Sequence, residues 1–134
     1  MAMRRYFTLD EATETLPWLR DQFAAIADSS VRLSELEQQI DDLARHRQRN
    51  GHSNLGSVMH DKRQEARQLA GTVQTSLTSI ERRGILVRDM KRGLVDFPPH
   101  GDDGREIHLC WLKDEATIGF WHPTDTGFGG RQPL

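Results

Sequence analysis

The apolar residues of this chain keep one spacing up to Gly84 and a different one after it, and that change limits the folds open to it more than anything else in the sequence. Ala12, Leu19, Ile26, Leu33 and Ile40 recur at intervals of seven, with Leu9, Leu16, Phe23, Leu36 and Leu43 widening the same stripe. Met59, Ala66, Val73 and Ile80 repeat the interval, with Leu69 and Leu77 between them. A seven-residue recurrence is two turns of helix, so both stretches predict amphipathic helices of a coiled-coil kind. After Gly84 the apolar residues alternate at about every second place, the period of a strand with one buried face.

Local signals set the expected boundaries. Thr8-Leu-Asp-Glu11 places a capping hydroxyl three residues before a reciprocating carboxylate, so the first helix starts at Thr8, with Tyr6 and Phe7 available to staple its start. Pro17 lacks an amide donor and predicts a kink or break near residues 13–16, leaving open a separate short helix from Leu9 to Leu16. The polar run from Arg45 to Ser57 reads as the tip of a helical hairpin, and His46, His52 and His60 in or near it read as solvated. A second helix is expected from about Val58 to Arg83, stopped by Gly84.

Beyond it, two hairpins are expected. Ile-Leu-Val-Arg-Asp and Leu-Val-Asp-Phe-Pro flank Met90 to Gly93, with Pro98 and Pro99 ending the second strand. Residues 106–112 and 117–122 flank Lys113 to Ala116. The expectation is a single α+β domain over residues 1–134. A long antiparallel helical hairpin (8–83) precedes a four-stranded antiparallel sheet and a Gly-rich C-terminal tail (84–134). Two helices alone do not bury both apolar stripes, so a homodimer is the natural completion.

Charge narrows the partners. The chain carries 18 basic and 20 acidic side chains, twelve of each up to residue 83, so no basic field points to nucleic acid or to an anionic membrane surface. One Cys, no long apolar run and an acidic turn soon after the N-terminal basic residues make a cytoplasmic protein the expectation.

The residues able to do chemistry gather in the last third. Cys110, His108, His122 and Asp125, with Trp121 beside them, are the candidates for a divalent-metal or thiol site, and Asp89, Asp96 and Arg131 are the candidate helpers. No CxxC or HExxH pattern supports zinc. With Asp114 and Glu115 at the centre of the turn, Trp111 faces Ile118, Leu109 faces Phe120 and Ile107 faces His122. Cys110 and His122 then point to opposite sides, and a three-residue loop or a bulge would bring them to one side. Each candidate also has a purely structural role open to it. Cys110 is then a small buried hydrophobe and His122 bonds the backbone of the tail. Asp89 caps its turn, Asp96 pairs with an Arg, Arg131 forms an ion pair and Phe128 fills a pocket.

Three segments, YFTLDEATETLPWL, VRDMKRGLVDFP and EIHLCWLKDEATIGFWHPTDTGFGGRQPL, resemble the uncharacterised bacterial family catalogued as domain of unknown function 2203. The likeness falls on Asp89, Gly93, Asp96, Cys110, Trp111, Trp121, His122, Gly127 and Arg131, whereas His108 stands where the family pattern carries an aromatic or apolar residue. The resemblance implies no activity, substrate or cofactor. Two readings follow: a non-enzymatic, homodimeric module that binds a protein or a small molecule, or a small metal-dependent or thiol-based enzyme with its site in the β region.

Overall fold

The computed structural model describes residues 7–50, 55–97, 107–123 and 126–134, and the chain divides into two compact units. One holds the segment up to Ala24 together with Leu77–Leu134, and the other is Ala25–Ser76.

Helix α1 is Leu9–Asn50, 42 residues, and α2 is Leu55–Arg82, 28 residues. The expected capping box opens α1: the Thr8 amide donates to Glu11 Oε1 at 3.1 Å and the Glu11 amide to Thr8 Oγ1 at 3.0 Å. Contrary to the expected break, α1 runs through Pro17 without interruption. Pro inside a helix costs about 3 kcal/mol, but Leu16, Leu19 and Phe23 around it are buried, and packing of that order outweighs the loss. Pro17 and Thr13 are both exposed, so solvent can satisfy the carbonyl left without a donor.

The expected tip also contracts, because α1 continues through Arg45 to Asn50 and α2 begins at Leu55. Arg and Gln are good helix formers, so losing the apolar period there meant losing a buried face, not the helix. His46 and His60 are exposed helical residues, and His52 lies outside the described residues. Gly84, at φ 86, ends α2 as expected.

In the Ala25–Ser76 unit Ile26, Leu36 and Met59 are buried. Arg32 grips Glu65 with two hydrogen bonds of 3.1 Å, and Lys62 donates to Gln39 at 2.6 Å. Leu33, Ile40, Leu43, Leu69 and Val73 remain half-buried, and Val31 is 62% exposed.

The other unit carries one antiparallel sheet of five strands in sequential order: β1 Leu86–Asp89, β2 Leu94–Phe97, β3 Ile107–Leu112, β4 Phe120–Pro123 and β5 Gln132–Pro133. The expected four strands are thus joined by a fifth, because the tail returns along β4 and the Leu134 amide donates to the Gly119 carbonyl at 2.9 Å. Pro98 and Pro99 lie outside the described residues. Val95, Phe97, Leu109 and Trp111 share one face of the central strands and are buried. Phe7 meets Phe97 edge-on at 5.2 Å, and Arg20 lies over Trp111 while donating to the Ala116 carbonyl at 2.8 Å. Ala12, Leu16, Leu19 and Ile80 complete this core from the helix side. Among the described residues no helix is long and apolar enough to cross a membrane.

Candidate functional site

The opposite face of the same central strands is polar and nonetheless buried. Register decides which residues share it. Asp96 pairs with Cys110, His108 with His122, and Cys110 with Phe120, so these five side chains lie on one side of the sheet. The expected register, with Leu109 facing Phe120 and Ile107 facing His122, is displaced by one place: Leu109 faces Trp121 and Ile107 faces Pro123. Cys110 and His122 are therefore on the same side, not on opposite sides.

Glu115 explains the displacement. Its carboxylate accepts the Leu112 amide at 2.7 Å, its own amide donates to the Leu112 carbonyl at 2.9 Å, and its carbonyl accepts Trp111 Nε1–H at 3.0 Å. These bonds close a longer connection than the one expected, and β4 begins at Phe120 rather than Thr117. Ile118 keeps its burial without belonging to a strand, and Phe120 turns to the polar face, where the Arg131 guanidinium lies 4.1 Å from its ring centroid.

Asp96 is the centre of the cluster. Arg88 Nε donates to Oδ2 at 2.8 Å, His108 Nδ1 lies 3.4 Å from the same oxygen, and His122 Nε2 lies 2.9 Å from Oδ1. Burial opposes ionisation of this carboxyl, but the bonds from Arg88 and His122 outweigh it and hold the group below its ordinary range. His122 Nδ1 faces the Pro123 carbonyl at 2.8 Å. A carbonyl only accepts, so Nδ1 carries a hydrogen, and Nε2 is the atom turned toward Asp96. His108 is driven toward its neutral form, first by burial, with Asp96 opposing.

Cys110 is fully buried, and burial pushes its thiol up to about 11, with Arg131 opposing and Asp96 reinforcing the rise. A thiol that stays protonated and inaccessible at neutral pH is a poor nucleophile, so the geometry favours the ligand or core role over the thiol-enzyme role. Asp96, Cys110 and His122 nonetheless present an oxygen, a sulfur and a nitrogen all within 4.8 Å of one another. Donors on a tetrahedral ion with zinc bond lengths are separated by about 3.3 to 3.8 Å, so small side-chain shifts complete the fit. The Nδ1–H contact of His122 with the Pro123 carbonyl turns Nε2 toward Asp96 and is of the kind a metal-bound imidazole makes as its second contact.

The remaining candidates separate. Asp89 accepts the Arg92 amide at 3.1 Å and caps the β1–β2 turn, the structural role expected of it. Trp121 is on the other face, opposite Leu109, and Asp125 lies outside the described residues. Arg131 does join the cluster, paired with Glu115 and donating to the Cys110 carbonyl at 3.4 Å. Phe128, expected in a pocket, is 38% exposed with the Arg92 and Arg131 guanidinium groups over its ring. The alternation pattern did not single out Arg88 or Glu115. The spacing of Arg88 and Asp96 across a hairpin is the signal that could have found the first, but a bulge between Val87 and Asp89 breaks the simple alternation there.

No curated protein and no solved structure matches the chain. A family model described as "Uncharacterized conserved protein (DUF2203)" matches residues 5–134, spanning both units and every residue of the buried cluster. The chain belongs to that family.

Proposed function

We propose that this protein is a metal-binding module that holds one divalent transition-metal ion on Asp96, Cys110 and His122. The observation that carries the reading is the convergence of three different donor types within 4.8 Å on a buried sheet face. Mixed nitrogen, sulfur and oxygen donors suit zinc better than calcium or magnesium, which take oxygen. Arg88 and His108 both face Asp96 Oδ2, so Oδ1, whose contact is His122 Nε2, is the oxygen that would meet the ion, with the ion taking the place of that contact. Three protein donors leave one tetrahedral position for a small ligand.

Elemental analysis of protein purified without an affinity tag tests this directly. The expected result is about one zinc per chain, lost in Cys110→Ser and His122→Ala. Substoichiometric metal in the wild type, with Cys110→Ser changing neither metal content nor fold, would overturn it.

A second reading concerns assembly. The half-buried Leu33, Ile40, Leu69 and Val73 of the helical unit, with Val31 exposed, favour a cytoplasmic homodimer whose helices pair as a coiled coil. Sedimentation at micromolar concentration should give twice the chain mass.

A further inference from the structure

The C-terminal tail carries a residue, Arg131, whose polar atoms are unequally served. Because β5 pairs Pro133 with Phe120 and Gln132 with Trp121, Arg131 is carried over the polar face of the sheet. Its guanidinium lies against the Phe120 and Phe128 rings, 4.1 and 4.9 Å from their centroids. Nη2 is bonded to Glu115 and to the Cys110 carbonyl. Nε is buried and has no hydrogen-bond partner.

A desolvated N–H without an acceptor costs about 1–3 kcal/mol, and a charged donor sits at the upper end of that range. Swinging Nε to water would give up the contacts with two aromatic rings and with Glu115, which hold the guanidinium in place. The bond from Nη2 to the Cys110 carbonyl places this guanidinium beside Cys110. A neutral thiol is a weak acceptor. When Cys110 ligates a metal its proton goes to solvent, and the sulfur becomes an anionic acceptor beside the unserved donor.

We propose that Arg131 is the latch of the metal site: Arg131 Nε–H bonds the Cys110 sulfur once it is ligated, so metal occupancy and docking of the C-terminal tail stabilise each other. This rests on the metal reading above. Arg131 is then a positioning residue that touches a ligand rather than the ion, and the coupling is reciprocal by linkage. Metal should tighten the tail by the same factor that the docked tail tightens the metal.

The test uses the full-length chain, stripped with chelator and reloaded with zinc. Zinc affinity is read by competition with a chromophoric chelator, and tail docking by hydrogen exchange of the Gly130, Arg131 and Leu134 amides, which donate to Gly127, Phe128 and Gly119 carbonyls. In the wild type, zinc should slow exchange of all three amides. Arg131→Gln should weaken zinc by about 10- to 100-fold, the range for second contacts of a metal ligand, and zinc should no longer protect the tail. Arg131→Lys keeps the charge but lacks the planar fork and should behave like Arg131→Gln. Unchanged zinc affinity in both variants would overturn the latch while leaving the metal site standing. So would tail exchange that is indifferent to zinc in the wild type, a result that needs no variant to fold. A wild type that binds no zinc overturns the metal reading itself, and the latch with it.

Discussion

Asp96 faces three nitrogen groups with its two oxygens, and its side chain is 2% exposed. Removing one member of a buried charged pair costs about 3–5 kcal/mol, because the partner is left buried and uncompensated. Asp96→Asn keeps the shape but loses the charge that His122 and Arg88 face. Arg88 is half-exposed and its share is screened, so the expected loss is about 3 kcal/mol. Urea denaturation of chelator-treated protein at pH 7 measures it, and a loss under 1 kcal/mol would show that the cluster is not a stabilising network. The pH dependence follows from two groups with depressed values. His108 folds toward its neutral form, so its contribution is complete above 6.5 and is lost as pH falls from there through its folded value. Asp96 is held ionised, so its contribution is complete above 3.8 and is lost on further acidification. The stability of the metal-free protein should therefore fall in two stages on acidification, and His108→Phe should remove the first while leaving the second. A single acid transition in both proteins would count against this account.

At the scale of the elements, what could be read from the sequence was whatever is settled within a few residues. The Thr8–Glu11 box, the Gly84 stop and the Asp89 turn cap each involve partners three residues apart or fewer, and each forms as expected. The β3–β4 register was not legible, because it depends on Glu115 closing its connection and on Arg131 giving Phe120 a place on the polar face. Arg131 and Glu115 are 16 residues apart, and Arg131 and Cys110 are 21 apart, contacts that no periodicity encodes. The break open to Pro17 and the loop expected from Arg45 to Asn50 are absent for a related reason: local propensity argued for an end to the helix, and packing or continued helix propensity overrode it. Gly93 shows the reverse, a local need set by a distant neighbour. Its φ is 66, and a Cβ there would come within 2.7 Å of the Lys113 side chain, including Lys113 Cβ, which cannot rotate away. Gly93→Ala should destabilise by about 1–3 kcal/mol, whereas the same change at Gly71, with open space around it, should be neutral to stabilising. Thermal unfolding of the two variants side by side distinguishes backbone strain from a general effect of losing glycine.

For the whole molecule, the proposed metal site and the proposed homodimer face fall in different compact units. The unit that holds the sheet buries both faces of β2 and β3, one apolar and one polar, and accounts for every donor of the proposed metal site. The Ala25–Ser76 unit has two helices and leaves Leu33, Ile40, Leu69 and Val73 half-covered, with polar side chains such as Glu65 and Lys62 spent on bonds between the helices. The proposed second copy would supply the missing apolar surface, since two helices are fewer than a bundle needs to enclose a core. Charge placed on that row should then separate the copies without touching the sheet. Leu33→Glu with Leu69→Glu is expected to halve the sedimenting mass while zinc content stays at the wild-type level. A wild type that already sediments as a monomer at micromolar concentration would show that these residues serve the unit itself. Loss of zinc together with the mass would show instead that the metal site depends on assembly, so the same double variant tests whether the two units carry separable roles.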